Sequence, residues 1–104
     1  MENWINPAYN SMMIVKSLRQ FQSQQDREAW EQLITLWQQA DQSRNQPKEL
    51  LRLFGEGFSR FIGLPSNLKI HVHVFVRNAL AEACHIANAN KIRVTFSTQG
   101  AVFG

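Results

Sequence analysis

Apolar residues recur at helical spacing through residues 24–62, and this periodicity restricts the fold more than any other feature of the sequence. A helix predicted over residues 24–41 carries its apolar side chains on one face: Trp30, Leu33, Ile34, Trp37 and Ala40. Ser23 precedes this run, and its hydroxyl can accept a hydrogen bond from the first helical turn. The pattern therefore predicts an amphipathic helix that buries two tryptophans.

A second helix of this kind is bounded by two clear signals. Pro47 suits the first turn, and Gly63 followed by Pro65 ends the helix. Its apolar stripe is wide: Leu50, Leu51, Phe54, Phe58, Phe61 and Ile62. Gly55 and Gly57 lie inside this helix, and we expect them either to allow a close helix crossing or to mark a kink.

The amino-terminal segment predicts one more helix, over residues 7–21. Asn6 can cap it and Pro7 suits its first position, while apolar residues follow at helical spacing: Ile14, Leu18 and Phe21. Short connections between the three helices favour antiparallel neighbours. We therefore expect a small helical bundle that forms one domain over residues 1–104.

Residues 69–76 fit two different structures. The strand interpretation rests on β-branched or aliphatic residues at every second position: Ile70, Val72, Val74 and Val76. At helical spacing, the same segment joins Leu68 to Ile86 in one apolar stripe, which predicts a helix over 67–88. Residues 78–88 are helical in both interpretations.

Residues 91–97 alternate between apolar and polar and predict a strand, whose backbone needs a hydrogen-bonding partner. If residues 69–76 form a strand, the two segments pair and the fold is α+β. If residues 69–76 are helical, the tail must pair with another chain or lie over the bundle. We predict a mainly α bundle, with a fourth helix over about 78–88 or 67–88 and a minor carboxyl-terminal β element; the α+β sheet 69–76/91–97 is the alternative.

No recognisable motif points to catalysis or to a bound cofactor. His71 and His73 would face the same way on a strand, but a structural zinc site needs four ligands. Cys84 and His85 diverge by about 100° on a helix, so they complete no such site and form no nucleophile–base pair. We expect Cys84 to be a small buried residue, and we expect no enzyme, metal, cofactor or small-molecule substrate.

Other features bear on the location of the protein. The single cysteine cannot form an internal disulfide, which favours a cytoplasmic protein. The apolar runs are much shorter than the ~18 residues of a membrane span, and the amino terminus does not have the pattern of a signal peptide. We expect no membrane contact.

Charge divides the chain into two parts, although the net charge is only +3. Residues 1–43 carry three basic and five acidic residues, a net charge of −2, and nine of the ten glutamines lie within residues 20–46. Residues 44–104 carry eight basic and three acidic residues, a net charge of +5. Such a contrast indicates one surface for a polyanion and another for protein neighbours.

The basic residues of the second part are the candidate nucleic-acid contacts. They are Arg44, Lys48, Arg52, Arg60, Lys69, Arg77, Lys91 and Arg93. Cations spaced along rigid elements bind phosphates without reading base sequence. Lys48, Arg52 and Arg60 share one helix face with Glu56, which neutralises them in part, so the alternative is that they only solvate that helix.

Apolar residues near the two termini are the candidate protein contacts. They are Trp4, which precedes the first predicted helix, and three residues of the tail: Val94, Phe96 and Phe103. We expect such residues to bind other protein subunits or a second copy of the chain.

These features predict a non-catalytic small subunit of a nucleoprotein assembly, which contacts the phosphate backbone of DNA or RNA. In size and helical character the chain resembles the small subunits of CRISPR surveillance complexes, a resemblance of class without a shared motif. The alternative function is a protein-only adaptor, inhibitor or obligate oligomer that uses the carboxyl-terminal strand and Trp4.

Overall fold

A computed structural model describes residues 10, 12, 13, 21 and 23–104 of the chain. Its elements, in chain order, are helices α1 (Gln24–Gln42), α2 (Pro47–Ile62), α3 (Ser66–Lys69) and α4 (His73–Ala89), then strands β1 (Val94–Ser97) and β2 (Gly100–Phe103). The protein is therefore mainly helical with a small antiparallel sheet at the carboxyl terminus, as predicted. Most of the predicted helix over 7–21 lies outside the described residues, although Met12 and Met13 have helical backbone.

Helix α1 has the start and the buried face that the sequence predicts. The Ser23 hydroxyl accepts a hydrogen bond from the backbone N–H of Asp26 at 3.1 Å, which caps the helix. The buried residues are those of the predicted stripe: Trp30, Leu33, Ile34, Trp37 and Ala40. The Trp30 indole N–H donates to the carbonyl of Met12 at 2.8 Å, so this buried polar group is satisfied.

Helix α2 is the central element, because α1, α4 and both strands pack against it. Its two glycines lie about 200° apart around the helix axis and therefore face different neighbours. A Cβ added to Gly57 would overlap the Trp37 indole of α1, and one added to Gly55 would overlap Ala101 of β2. Gly57 thus permits a close helix crossing, the first of the two predicted roles, whereas Gly55 permits close approach of a strand, which neither predicted role included.

Aromatic rings join three elements across the core. The Trp37 ring of α1 stacks on Phe54 of α2 with centroids 5.9 Å apart and planes 13° from parallel. The Phe96 ring of β1 meets Phe54 edge-on, with centroids 5.2 Å apart. Offset-stacked and edge-on pairs are both favourable arrangements for aromatic quadrupoles. Phe54 is fully buried between α1 on one side and the hairpin on the other.

Residues 69–76 are not a strand, so the alternative sheet 69–76/91–97 is wrong. The segment comprises the end of α3, a turn and the first residues of α4. The four alternating residues do not share a face: Val72 and Val76 are buried, whereas Ile70 and Val74 are 64% and 51% exposed. Burial at helical spacing continues from Leu68 onward, and this burial outweighs the strand preference of β-branched residues.

The tail strand pairs with the residues that directly follow it. Strands β1 and β2 form an antiparallel hairpin, in register from Val94↔Phe103 to Ser97↔Gly100. Gly100 adopts a φ of +88°, which glycine permits at the end of a tight turn. The Ser59 hydroxyl donates to the Thr98 carbonyl at 2.5 Å and fixes the turn to α2. The tail strand therefore finds its partner in its own chain, and the expectation that it would either pair with another chain or lie unpaired over the bundle is wrong.

None of the helices in the described ranges combines the length and apolar character that crossing a bilayer requires.

Candidate nucleic-acid interface

Two of the predicted contact residues, Arg44 before α2 and Arg52 within it, are engaged by carboxylates of the same chain. Arg44 Nε lies 2.9 Å from Asp41 Oδ1. The Arg52 guanidinium donates to both oxygens of Glu49, at 2.5 and 2.9 Å, and to Glu56 Oε1 at 3.0 Å. These two arginines are consequently neutralised within the protein.

The hydrogen bond from Arg52 lowers the pKa of Glu49 from its ordinary value. The folded protein therefore favours the ionised form of this carboxyl more than the unfolded chain does. The resulting stabilisation is present at neutral pH and is lost as the pH falls through the lowered pKa. At neutral pH the two acids thus keep the Arg52 guanidinium occupied.

Two further cations of α2 have partners that are not acidic. Arg60 Nη1 donates to the Gln32 side-chain carbonyl of α1 at 2.8 Å. Lys48 Nζ lies 5.2 Å from the centroid of the Phe103 ring, within the range of a cation–π contact. Each of the four predicted contact residues from 44 to 60 thus has a partner in its own chain.

The remaining four predicted contacts are not held in this way. Within the described residues, Lys69, Arg77, Lys91 and Arg93 form no ion pair and no side-chain hydrogen bond. Arg77, Lys91 and Arg93 are exposed and Lys69 is half-buried. Lys69 and Arg77 flank the start of α4, and Lys91 and Arg93 follow its end.

The backbone of Lys91 forms the carboxyl-terminal cap of α4. Lys91 adopts a φ of 57°, and among the described non-glycine residues it alone has a positive φ. Its N–H donates to the Asn88 carbonyl at 3.2 Å, and the Ile92 N–H donates to the Ala87 carbonyl at 2.9 Å. This is the hydrogen-bond pattern of a Schellman motif. The motif turns the chain sharply from α4 into β1, which brings Arg93 beside the last turns of the helix.

Beyond Glu56, the exposed ionised side chains are all basic. Residues 57–104 contain five arginines or lysines and one acid, Glu82, which is buried with 8% exposure. Glu82 Oε1 has no hydrogen-bond partner among the described residues. The exposed ionised side chains at the end of α2 and around α4 are therefore all basic.

The residues considered for metal binding or nucleophilic chemistry do not come together. His71, His73 and His85 are exposed, and the described part of the chain brings no three metal-ligating side chains into one group. His73 Nδ1 lies 3.3 Å from the Ile70 carbonyl. Cys84 is exposed, so the expectation that it is buried is wrong. It lies at the edge of the exposed face of α4, not on its apolar stripe.

The predicted protein contacts of the tail pack inward. Val94, Phe96 and Phe103 lie against the hydrophobic core, whereas Thr95 and Val102 point outward from the hairpin. The inward orientation follows from the register, because residues of one face alternate along each strand. A partner role for these three residues stays a prediction, and Trp4 lies outside the described residues.

Three grooves on the described surface differ in charge. The first, about 540 Å³, lies at the start of α2 beside the Glu49–Arg52 pair and Phe103. The second, about 460 Å³, lies along α1 and is lined by Glu28, Glu31 and Gln32 among others. The third, about 430 Å³, lies between α4 and β1, and Asn88, Arg93 and Thr95 are on its wall. Of these three grooves, the third alone has no acidic side chain on its wall, which also includes Gly104, the last residue of the sequence.

Sequence reasoning selected Arg93 but missed its neighbours in the third groove. Asn88, Cys84 and Thr95 are chemically ordinary, and only the turn after α4 brings them beside Arg93. A C-terminal helix signal at Asn90 and Lys91, followed by a strand, would have indicated such a turn.

Comparisons with known proteins do not add a family to this picture: the chain matches no protein-family model, no curated protein and no solved structure at a significant level.

Proposed function

We propose that this protein is a non-catalytic subunit of a nucleoprotein assembly and that it contacts the phosphate backbone without reading base sequence. One observation carries the proposal: beyond Glu56 every exposed ionised side chain is basic, and four cations of this part of the chain, three exposed and one half-buried, have no partner within the described residues. The unpaired cations are Lys69, Arg77, Lys91 and Arg93. Because no acidic side chain of the described chain pairs with these four cations, they are available to an external polyanion.

The spacing of these cations suits an extended ligand. Helix α4 has 17 residues and is therefore roughly 25 Å long. Lys69 and Arg77 lie near one end of it and Lys91 and Arg93 near the other. Contacts of this kind fix the position of a protein along a nucleic acid and carry no base information.

The opposite charge balance of α1 favours protein neighbours. The carboxylates of Glu28 and Glu31 in its exposed groove repel a phosphate backbone, and the neighbouring glutamine amides hydrogen-bond readily to protein surfaces. A subunit with one basic and one acidic surface can bridge nucleic acid to other subunits.

Salt-dependent binding tests this proposal. If all four free cations contact phosphates, affinity for a labelled oligonucleotide falls roughly a hundredfold between 50 and 200 mM salt. Fluorescence anisotropy with strands of different base composition gives the same affinity within error. The absence of salt-sensitive binding overturns the proposal.

Two matched variants locate the interaction. Arg77→Gln removes an unpaired cation and reduces the slope of log affinity against log salt by about one. Arg52→Gln removes a cation that Glu49 and Glu56 already neutralise, and it leaves the slope unchanged. If the Arg52 variant lowers the slope as much as the Arg77 variant, the assignment of the binding surface is wrong.

We propose a protein-only adaptor as the second candidate, because Ile70 and Val74 are large exposed apolar residues only four positions apart. Exposed apolar pairs of this kind contact protein partners more readily than phosphates. This candidate requires association that persists at high salt and weakens when both residues are replaced by serine. Retention of the association by the double variant contradicts it.

A further inference from the structure

We infer that two copies of this chain associate by pairing the outer edges of their β2 strands, which joins the two hairpins into one four-stranded antiparallel sheet. The interaction surface is the edge of β2 together with the exposed Val102 side chain of that strand. The inference goes beyond the proposed function, because none of the four unpaired cations belongs to β2 or to α2, the helix beneath it.

One edge of β2 has no paired strand in the described chain. The Gly104 N–H donates to the Arg93 carbonyl at 3.3 Å, which continues the register that includes Val94↔Phe103. Hydrogen-bonded pairs alternate along an antiparallel ladder, so the backbone groups of Ala101 and Phe103 point away from β1. Within the described residues these groups have no hydrogen-bond partner. A groove of about 540 Å³ lies between Phe103 and the start of α2, so the end of this strand borders open space.

Strand β2 lacks the features that keep natural sheet edges from pairing. Natural sheets guard their edges with charged side chains, proline or bulges. The four residues of β2 are uncharged and include no proline, and their ladder with β1 is regular. Val102 is one of four large apolar residues that the described chain leaves exposed. An edge of this kind pairs readily with another strand.

Charge selects the edge of β2 over the edge of β1. Lys91 and Arg93 precede β1, and no acidic side chain is exposed beyond Glu56, so two copies joined at β1 would bring like charges together. Helix α2, which lies beneath β2, instead has balanced charges. Two basic and two acidic residues lie on its exposed side: Lys48, Glu49, Arg52 and Glu56.

A second copy of β2 completes the edge when a two-fold axis passes through Val102. Ala101 of each copy then exchanges backbone hydrogen bonds with Phe103 of the other. The two Val102 side chains face each other across the axis, and each covers apolar surface that is exposed in the single chain. The same patch therefore serves on both copies, as a two-fold interface requires.

The helices beneath the strands are complementary in charge under the same axis. Lys48 Nζ lies over the Phe103 ring, near the end of β2. Gly55 lies against Ala101, nearer the start of the strand, so α2 runs antiparallel to β2. The axis therefore directs the Lys48 end of one α2 toward the Glu56 end of the other, where opposite charges meet. This match favours a second copy over an unrelated strand.

Sedimentation equilibrium of the full chain tests the association. The parent is expected to change from 12.0 kDa to twice that mass as its concentration rises toward about 1 mM. Val102→Lys places like charges opposite each other at the axis and raises the dimer Kd by roughly tenfold or more.

Thr95→Lys is the matched control for the charge. Thr95 is exposed and lies directly across from Val102 in the hairpin. In the dimer its two copies are three strand spacings apart, about 14 Å, which exceeds the Debye length at physiological salt. This variant therefore leaves the dimer Kd unchanged. Circular dichroism spectra of both variants show whether they fold as the parent does.

A disulfide measures the register of the two copies. Cys84→Ser removes the single cysteine of the chain, and Val102→Cys then introduces one thiol on each side of the axis. The Cα atoms of such a pair are about 4.5 Å apart, within the range of a disulfide. Oxidised glutathione is expected to convert this variant into a covalent dimer on a denaturing gel. The variant with Cys84→Ser and Thr95→Cys stays monomeric on the same gel.

Three outcomes overturn the inference. The first is a chain that stays monomeric over the whole concentration range. The second is a dimer whose Kd does not change in Val102→Lys, and the third is equal cross-linking through positions 95 and 102. None of these outcomes bears on the proposed function, which salt-dependent binding tests separately.

Discussion

At the scale of single residues, Gly57 shows how closely the helices approach. The Trp37 indole occupies the space where a side chain would begin, and its Nε1 is buried without a hydrogen-bond partner in the described chain. The close approach of α1 and α2 at Gly57 therefore buries the Trp37 ring but leaves its indole N–H without a hydrogen bond in the described chain.

Gly57→Ala is expected to destabilise the protein. Alanine gains about 1 kcal/mol in helix propensity, but the overlap with Trp37 forces a rearrangement that costs about 1–3 kcal/mol or more. Urea unfolding followed by circular dichroism shows a lower midpoint. Gly63→Ala is the control, because its backbone is helical and the nearest atom to an added Cβ, Arg60 O, lies at an ordinary 3.5 Å. Equal losses in the two variants contradict the role assigned to Gly57.

Lys91→Gly is expected to stabilise the protein. A left-handed backbone conformation costs an L-residue about 1–2 kcal/mol, and glycine adopts it without that strain. The gain is smaller than this because glycine also has more freedom in the unfolded chain. Thermal unfolding compares this variant with Lys91→Ala, which removes the same charge but keeps the Cβ. A gain of equal size in the alanine variant would show that the side chain, and not the backbone, is the cause.

At the scale of elements, the hairpin depends on its contact with α2. Two strands of four residues are marginally stable alone, so this hairpin needs the packing of its inner face. Ala101 lies on Gly55, and Phe96 lies on Phe54. The neighbouring residue Val102 points outward and is 49% exposed.

Ala101→Leu is therefore expected to lift the hairpin from α2. Overpacking at this contact costs about 1–3 kcal/mol, whereas Val102→Leu on the outer face changes stability by less than about 0.5 kcal/mol. Urea midpoints measured at equal protein concentration compare the two variants. If Val102→Leu is as destabilising as Ala101→Leu, the hairpin does not face α2 in the way described.

The elements also show how far the sequence could predict this fold. Helices α1 and α2 were predicted almost to the residue, because each combines a long 3.6-residue period with a boundary signal such as Ser23 or Pro47. Residues 69–76 were ambiguous because a short apolar run fits both the two-residue period of a strand and the 3.6-residue period of a helix. The burial of Val72 and Val76 in the core, four positions apart, decides in favour of the helical period. The second strand was missed because Thr98-Gln99-Gly100 is not one of the strong two-residue turn signals.

At the scale of the whole molecule, the sequence identifies the basic residues, but it does not show which of them lack a partner in the folded chain. The spacing of Arg52 from Glu49 and Glu56 already indicates neutralisation by i,i+3 and i,i+4 pairs. The contact of Arg60 with Gln32 joins two helices and has no local signal. Burial of Glu82 leaves no exposed acidic side chain beyond Glu56, and this burial depends on tertiary packing.

The packed rings of Trp37, Phe54 and Phe96 give the protein an intrinsic fluorescent probe of its core. Trp37 stacks on Phe54, and Phe54 meets Phe96 of the hairpin, so displacement of the hairpin alters the packing around a buried indole. An indole in a dry, apolar setting emits at shorter wavelength than one in contact with water. Because the chain has three tryptophans, the emission of a variant that keeps Trp37 alone can follow docking of the hairpin in real time.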